Sequence, residues 1–95
     1  MKEADFKTYL SSDPSISSEK AIISRLAKAR KAETILGKSL DIVVIDDDIM
    51  VESLIKLQTH DDPAHNMQNA VRKYYKFINK KDFPRINDYH SFKHP

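Results

Sequence analysis

Hydrophobic residues recur every three or four positions between residues 67 and 78, the spacing that places side chains on one face of an α-helix. Asp62 is suited to cap this helix, because its carboxylate can accept bonds from first-turn amides. Pro63 suits the first helical position, where a missing N–H costs nothing. The pattern therefore predicts a helix from Pro63 to about residue 80, with a buried face formed by Met67, Ala70, Val71, Tyr74, Phe77 and Ile78.

Two further helices are predicted in the first half of the chain. The first runs from Met1 to about Leu10, and the sequence SSDP at 11–14 ends it, since a residue before proline avoids the helical region. Ser17 or Ser18 caps the second helix, which extends to Leu36 and ends at Gly37 in a left-handed conformation.

Residues 40–45 contain many β-branched residues, but no partner strand is evident in the sequence. We expect an extended connection that brings Leu40, Val43 and Ile45 to the core. Asp46 is then the expected N-cap of a helix over about 47–59, with Ile45 and Met50 forming a hydrophobic staple across its start.

The fold class that follows is all-α, a four-helix bundle. We expect residues 1–84 to form one domain and residues 85–95 to be a tail or the start of a linker, with possible anchors at Ile86, Tyr89 and Phe92. The absence of cysteine excludes disulfides and suits a reducing compartment such as the cytoplasm. No apolar run reaches the ~20 residues that a membrane span needs, so no membrane partner is expected.

Charge alternates by segment along the chain. Residues 17–38 carry a net charge of +4, residues 39–62 carry −6 and residues 63–95 carry +5. Periodicity gathers polar and basic residues on one face of the second helix and one face of the last: Lys20, Ser24, Arg25, Lys28 and Lys31, and then His65, Asn69, Arg72, Lys73, Lys76 and Lys80. Such faces either bind the phosphates of a nucleic acid or are ordinary solvated surface.

Catalytic and metal-binding interpretations find little support in the sequence. Asp46, Asp47 and Asp48 lack the spaced oxygen ligands and the glycine of a calcium loop, and helix capping explains them. His60, Asp61 and His65 are close in sequence, but solvated side chains are the better interpretation. The adjacent Tyr74 and Tyr75 indicate packing. We predict no catalytic residue, no metal site and no cofactor.

The order of these features matches a known pattern. It consists of the FKTYL segment at 6–10, a serine-capped basic helix, the IDDDI helix start at 45–49 and the AVRKYYKFI segment at 70–78. Over residues 5–84 the chain resembles the N-terminal core-binding, SAM-like domain of tyrosine recombinases and phage integrases.

The resemblance implies a four-helix bundle that clamps one side of duplex DNA, with its second and fourth helices toward the major groove. The contacting positions that it implies are Lys20, Ser24, Lys28, Lys31, Asn69, Arg72, Lys73 and Lys76. The catalytic Arg, Lys, His and Tyr of the family belong to a separate C-terminal domain, which this chain lacks. We therefore expect a non-enzymatic module, which is either part of a larger recombinase or nuclease or a stand-alone protein of the same fold. The alternative is a small adaptor that docks a protein on its basic or acidic face.

Overall fold

The structure, a computed structural model, describes residues 1–16, 18–60 and 62–86. These residues form five α-helices, a short 3₁₀ turn and no β-strand, which confirms the all-α prediction. The elements are α1 (Glu3–Ser11), α2 (Glu19–Leu36), α3 (Leu40–Val43), α4 (Asp47–Gln58), the 3₁₀ turn (Pro63–His65) and α5 (Asn66–Asn79). The predicted number of helices, four, is wrong, because the one-turn helix α3 makes a fifth.

The helix ends with clear capping residues agree with the sequence. The Ser18 hydroxyl accepts a hydrogen bond from the Ala21 amide at 3.1 Å at the start of α2. Gly37 follows α2 with a φ of 69°, a left-handed conformation that glycine adopts without steric cost. Asp46 accepts from the amides of Asp48 and Ile49 at 2.8 and 3.1 Å and so caps α4. Local chemistry thus fixes both ends of α2 and the start of α4.

The predicted extended segment at 40–45 is wrong, because Leu40–Val43 form α3. Ser39 caps this helix by accepting a bond from the Asp41 amide at 3.1 Å. Leu40 and Val43 are fully buried as expected, but Ile45 is 73% exposed and does not enter the core. The helical turn rotates Val44 inward instead, where Asn79 of α5 donates to its carbonyl oxygen at 3.0 Å.

The predicted start of the last helix is also wrong. Pro63 belongs to the separate 3₁₀ turn, and Ala64 and His65 both have positive φ values, which break the helix before Asn66. Asp62 still performs the expected capping chemistry from a distance. Its carboxylate accepts from the amides of Met67 and Gln68 at 2.7 and 3.2 Å.

The core lies around α5, which contacts α1, α2 and α4, most extensively α2. Ala29 and Ala32 of α2 are fully buried, and their small side chains allow the two long helices to approach closely. The predicted stripe of α5 is confirmed at four positions that are buried, while its last two positions, Phe77 and Ile78, are half-buried; the four are Met67, Ala70, Val71 and Tyr74.

The chain that follows α5 folds back onto the bundle. Phe83 is buried and packs edge to face against Tyr75, with ring centroids 5.0 Å apart. Ile86 also packs against the core. The expected anchors Tyr89 and Phe92, the alternative cap Ser17 and the acidic residue Asp61 lie outside the described residues.

Candidate nucleic-acid interface

The side-by-side packing of α2 and α5 leaves a surface depression between them, the α2–α5 groove, which contains two hollows. The first hollow has a volume of about 180 Å³ and is lined by Ala21, Ser24, Arg25, Lys28, Asn66 and Asn69. The second hollow, of about 220 Å³, is lined by Arg25, Asn69, Arg72, Lys73, Lys76 and Asp82. Arg25 and Asn69 border both hollows, so the two form one continuous site.

Seven of the ten residues predicted for a DNA-binding surface line this groove: Ser24, Arg25, Lys28, Asn69, Arg72, Lys73 and Lys76. The other three, Lys20, Lys31 and Lys80, are exposed but do not line either hollow. Two helices separated by about 30 residues in sequence therefore bring their polar faces to one place.

The four predicted basic residues of α2 are unpaired within the described residues, whereas Arg30 of the same helix pairs with Glu3. Lys20, Arg25, Lys28 and Lys31 form no ion pair within residues 1–16, 18–60 and 62–86. None of the described residues that line the first hollow is acidic. The positive charge of this part of the groove is thus available to a negatively charged ligand.

Lys73 of α5, in contrast, is already paired. Its ammonium lies 2.6 Å from Oδ2 of Asp13 in the α1–α2 connection, and both side chains are largely covered, at 18% and 15% exposure. The Asp13 carboxylate also accepts from the hydroxyl and the amide of Ser15 at 2.7 and 2.9 Å. The hydrogen bond from Lys73, helped by those from Ser15, holds the pKa of Asp13 well below its usual range. Lys73 therefore anchors a loop to α5.

This ion pair predicts a specific acid sensitivity. The folded state binds the Asp13 proton more weakly than the unfolded chain, so the pair stabilises the fold above about pH 4 and this stability is lost as the pH falls. We expect Asp13→Asn to lower the free energy of unfolding at pH 7 by about 1–2 kcal/mol. The loss should shrink between pH 4 and pH 2 in urea unfolding experiments. Glu52→Gln, which removes the same charge from an exposed position on α4, should cost much less at pH 7. A constant Asp13→Asn deficit across this pH range would contradict the assignment.

Arg72 holds the segment that follows α5 against this helix. Its guanidinium donates to the carbonyl oxygens of Phe83 and Pro84 at 3.1 and 3.2 Å and lies 5.8 Å from the centroid of the Phe83 ring. Burial lowers the pKa of Arg72 from its ordinary value. The residue lines the second hollow, but two of its five N–H donors are already used within the protein.

The remaining basic residues of α5 differ in their availability. The Lys76 ammonium lies 3.5 Å from Oδ1 of Asp82, and both side chains are open to solvent, at 45% and 83% exposure. Lys80 follows the helix with a φ of 63°, and its ammonium lies 5.8 Å from the Phe77 ring centroid. Lys76 is therefore the basic residue of α5 that a ligand in the second hollow can recruit at least cost.

Three residues of this region did not stand out in the sequence. Asp82, Asn66 and Asp13 each lie outside the regular spacing of the two basic faces, because a loop or a helix end carries them. The one sequence feature that could point to Asp82 is its position in the segment after α5, six residues beyond Lys76. The pairing of Asp13 with Lys73 bridges 60 positions and has no local signature.

The acidic start of α4 lies on another side of α5. Asp47 accepts a hydrogen bond from the Tyr75 hydroxyl at 3.0 Å, and Tyr75 is about 160° from Lys73 around the helix. Burial and the bond to Asp47 raise the pKa of Tyr75 to about 12. Asp47 at the start of α4 therefore contacts a side of α5 that is distant from Lys73.

The described residues contain no cluster of three or more side chains suited to hold a metal ion. Asp46 acts as a cap, and the Nδ1 atom of His65 lies 3.2 Å from the amide nitrogen of the Gln68 side chain. No helix among the described residues has the length and apolar character that crossing a membrane demands. Comparison of the chain with protein-family models, with curated proteins and with solved structures finds no match.

Proposed function

We propose that this chain is a duplex DNA-binding module that places the α2–α5 groove against the sugar–phosphate backbone. The observation that carries the proposal is the convergence of unpaired Arg25 and Lys28 with Ser24 and Asn69 in the first hollow. Lysine and arginine supply the affinity for phosphates, while hydroxyl and amide groups add hydrogen bonds to phosphates or base edges. Both kinds of group lie together here.

A relation to the core-binding, SAM-like domain of tyrosine recombinases and phage integrases is part of the proposal. The predicted second and fourth helices of that pattern correspond to α2 and α5, and these are the helices that border the groove. The one-turn helix α3 is then an addition within the connection to α4. In this proposal the chain binds and orients DNA, and any recombination or cleavage belongs to another domain.

The test is fluorescence anisotropy with a labelled duplex of about 30 base pairs at several salt concentrations. Lys20, Arg25, Lys28 and Lys31 form no ion pair within the described residues, so they can release counterions from DNA without breaking a contact of the protein. The logarithm of the binding constant should then fall with the logarithm of the salt concentration with a slope of about −4. Absence of binding at the lowest salt concentration, or binding that does not respond to salt, would refute the proposal.

A protein-binding adaptor is the second candidate function, and one observation favours it. Ile42 and Ile45 are 49% and 73% exposed at the start of the acidic region that leads into α4. Exposed isoleucines beside carboxylates suit a partner with an apolar and basic surface. The DNA experiment separates the two candidates, since an adaptor that uses this region predicts no binding to unrelated duplex DNA at low salt.

A further inference from the structure

The second hollow of the α2–α5 groove contains a carboxylate of the protein itself. Asp82 lines it together with four basic residues and an asparagine, and its Oδ1 atom lies 3.5 Å from the Lys76 ammonium. The first hollow has no acidic residue among its described lining residues. The second hollow therefore contains an exposed negative charge, which the described lining of the first hollow does not.

The position of Asp82 is fixed by the residues that follow it. Phe83 is buried against Tyr75, and Arg72 donates to the backbone carbonyl oxygens of Phe83 and Pro84. The Asp82 backbone is consequently held at the edge of the hollow, while its side chain remains 83% exposed. A carboxylate on an anchored backbone keeps a high local concentration beside Lys76.

We propose that Asp82 is a built-in competitor for the phosphodiester group in the second hollow. A carboxylate and a phosphate oxygen form the same charge-assisted hydrogen bond with a lysine ammonium, so they exclude each other at Lys76. The first hollow accepts a phosphate without rearrangement, whereas the second accepts one only after the Lys76–Asp82 pair opens. This inference rests on the proposed DNA-binding function and adds to it a device that limits the affinity for DNA.

The test compares Asp82→Asn with a matched control. Glu3→Gln removes one negative charge from another exposed ion pair, formed with Arg30 at 2.7 Å and outside both hollows. We expect Asp82→Asn to bind the labelled duplex about three- to tenfold more tightly at 50 mM salt, with a salt slope steeper by about 0.9 because Lys76 gains a phosphate contact. Glu3→Gln should stay within about twofold of the unchanged protein. Equal gains in the two variants would overturn the proposal, since they would reflect net charge alone.

A second probe separates failure of this inference from failure of the DNA-binding function. Inorganic pyrophosphate is titrated into each protein, and the amide signals of Asn69, Lys73 and Lys76 are followed by NMR. Tighter pyrophosphate binding by Asp82→Asn supports the competitor even if no variant binds DNA, in which case only the DNA-binding function fails. Unchanged pyrophosphate affinity in Asp82→Asn overturns the competitor, whatever the duplex shows.

Discussion

Replacement of Tyr74 by alanine is expected to lower the free energy of unfolding by about 3–5 kcal/mol, the range for loss of a large aromatic side chain from a core. Tyr74 is fully buried on α5, and its ring packs edge to face on Phe6 of α1 at 4.9 Å and on Phe77 at 5.5 Å. Its removal leaves a cavity between α1 and α5. For a chain of 95 residues, a loss of this size is a large part of the whole stability.

The hydroxyl group contributes separately from the ring. It donates a hydrogen bond to Asp41 of α3 and accepts one from the Lys2 amide at 2.9 Å. Burial and the bond to Asp41 raise the pKa of Tyr74. Tyr74→Phe retains the ring, so it should cost about 1.5–3 kcal/mol, the value of hydrogen bonds to a charged group. Chemical denaturation followed by circular dichroism measures both variants, and a Tyr74→Ala cost no larger than that of Tyr74→Phe would contradict the packing role.

Reversal of charge at Arg25 and Lys28 together is expected to weaken duplex DNA binding by about 100-fold or more at low salt. Each substitution to glutamate removes a phosphate contact and places a negative charge in the first hollow. Neither side chain forms an ion pair within the described part of the chain, so the fold does not depend on their charge. Unchanged helicity and thermal midpoint should therefore accompany the loss of binding.

The matched control reverses Lys7 on α1 and Lys56 on α4, which changes the net charge by the same amount at exposed positions outside both hollows. We expect this control to lose binding by less than about tenfold, through general repulsion alone. If both double variants weaken binding equally, the groove has no special role. Arg72 is a poor choice for this experiment, because its removal also releases Phe83 and Pro84 from α5.

The sequence predicts those parts of the fold that depend on neighbouring residues. Helix ends are set by Ser18, Gly37 and Asp46 through hydrogen bonds or backbone conformations within a few positions. The three-to-four spacing of hydrophobic residues identifies the buried face of α5. The errors at 40–45 and at Pro63 have a different origin. The segment LDIV forms a helical turn because Leu40 and Val43 are buried against the bundle. The helix breaks at Ala64 because Asp62 reaches past this residue to the Met67 amide.

The candidate site is likewise predictable only in those features that depend on residues near in sequence. Periodicity alone indicates that Arg25 and Lys28 share a side of one helix and Asn69 and Lys76 a side of another, and close packing of α2 on α5 makes these sides adjacent. Periodicity does not reveal which cations already form ion pairs or hydrogen bonds within the protein. Lys73 binds Asp13 and Arg72 binds backbone carbonyls, through contacts between segments far apart in the chain.

The central position of α5 bears on the kinetics of association. This helix contacts α1, α2, α4 and the 3₁₀ turn, so its middle amides lose their protection from hydrogen exchange only when the whole bundle opens. One wall of the groove is thus preformed, and no slow refolding step precedes encounter with a ligand. Association should then proceed in a single phase whose rate is set by electrostatic attraction, and differences between ligands should appear chiefly in how fast they dissociate.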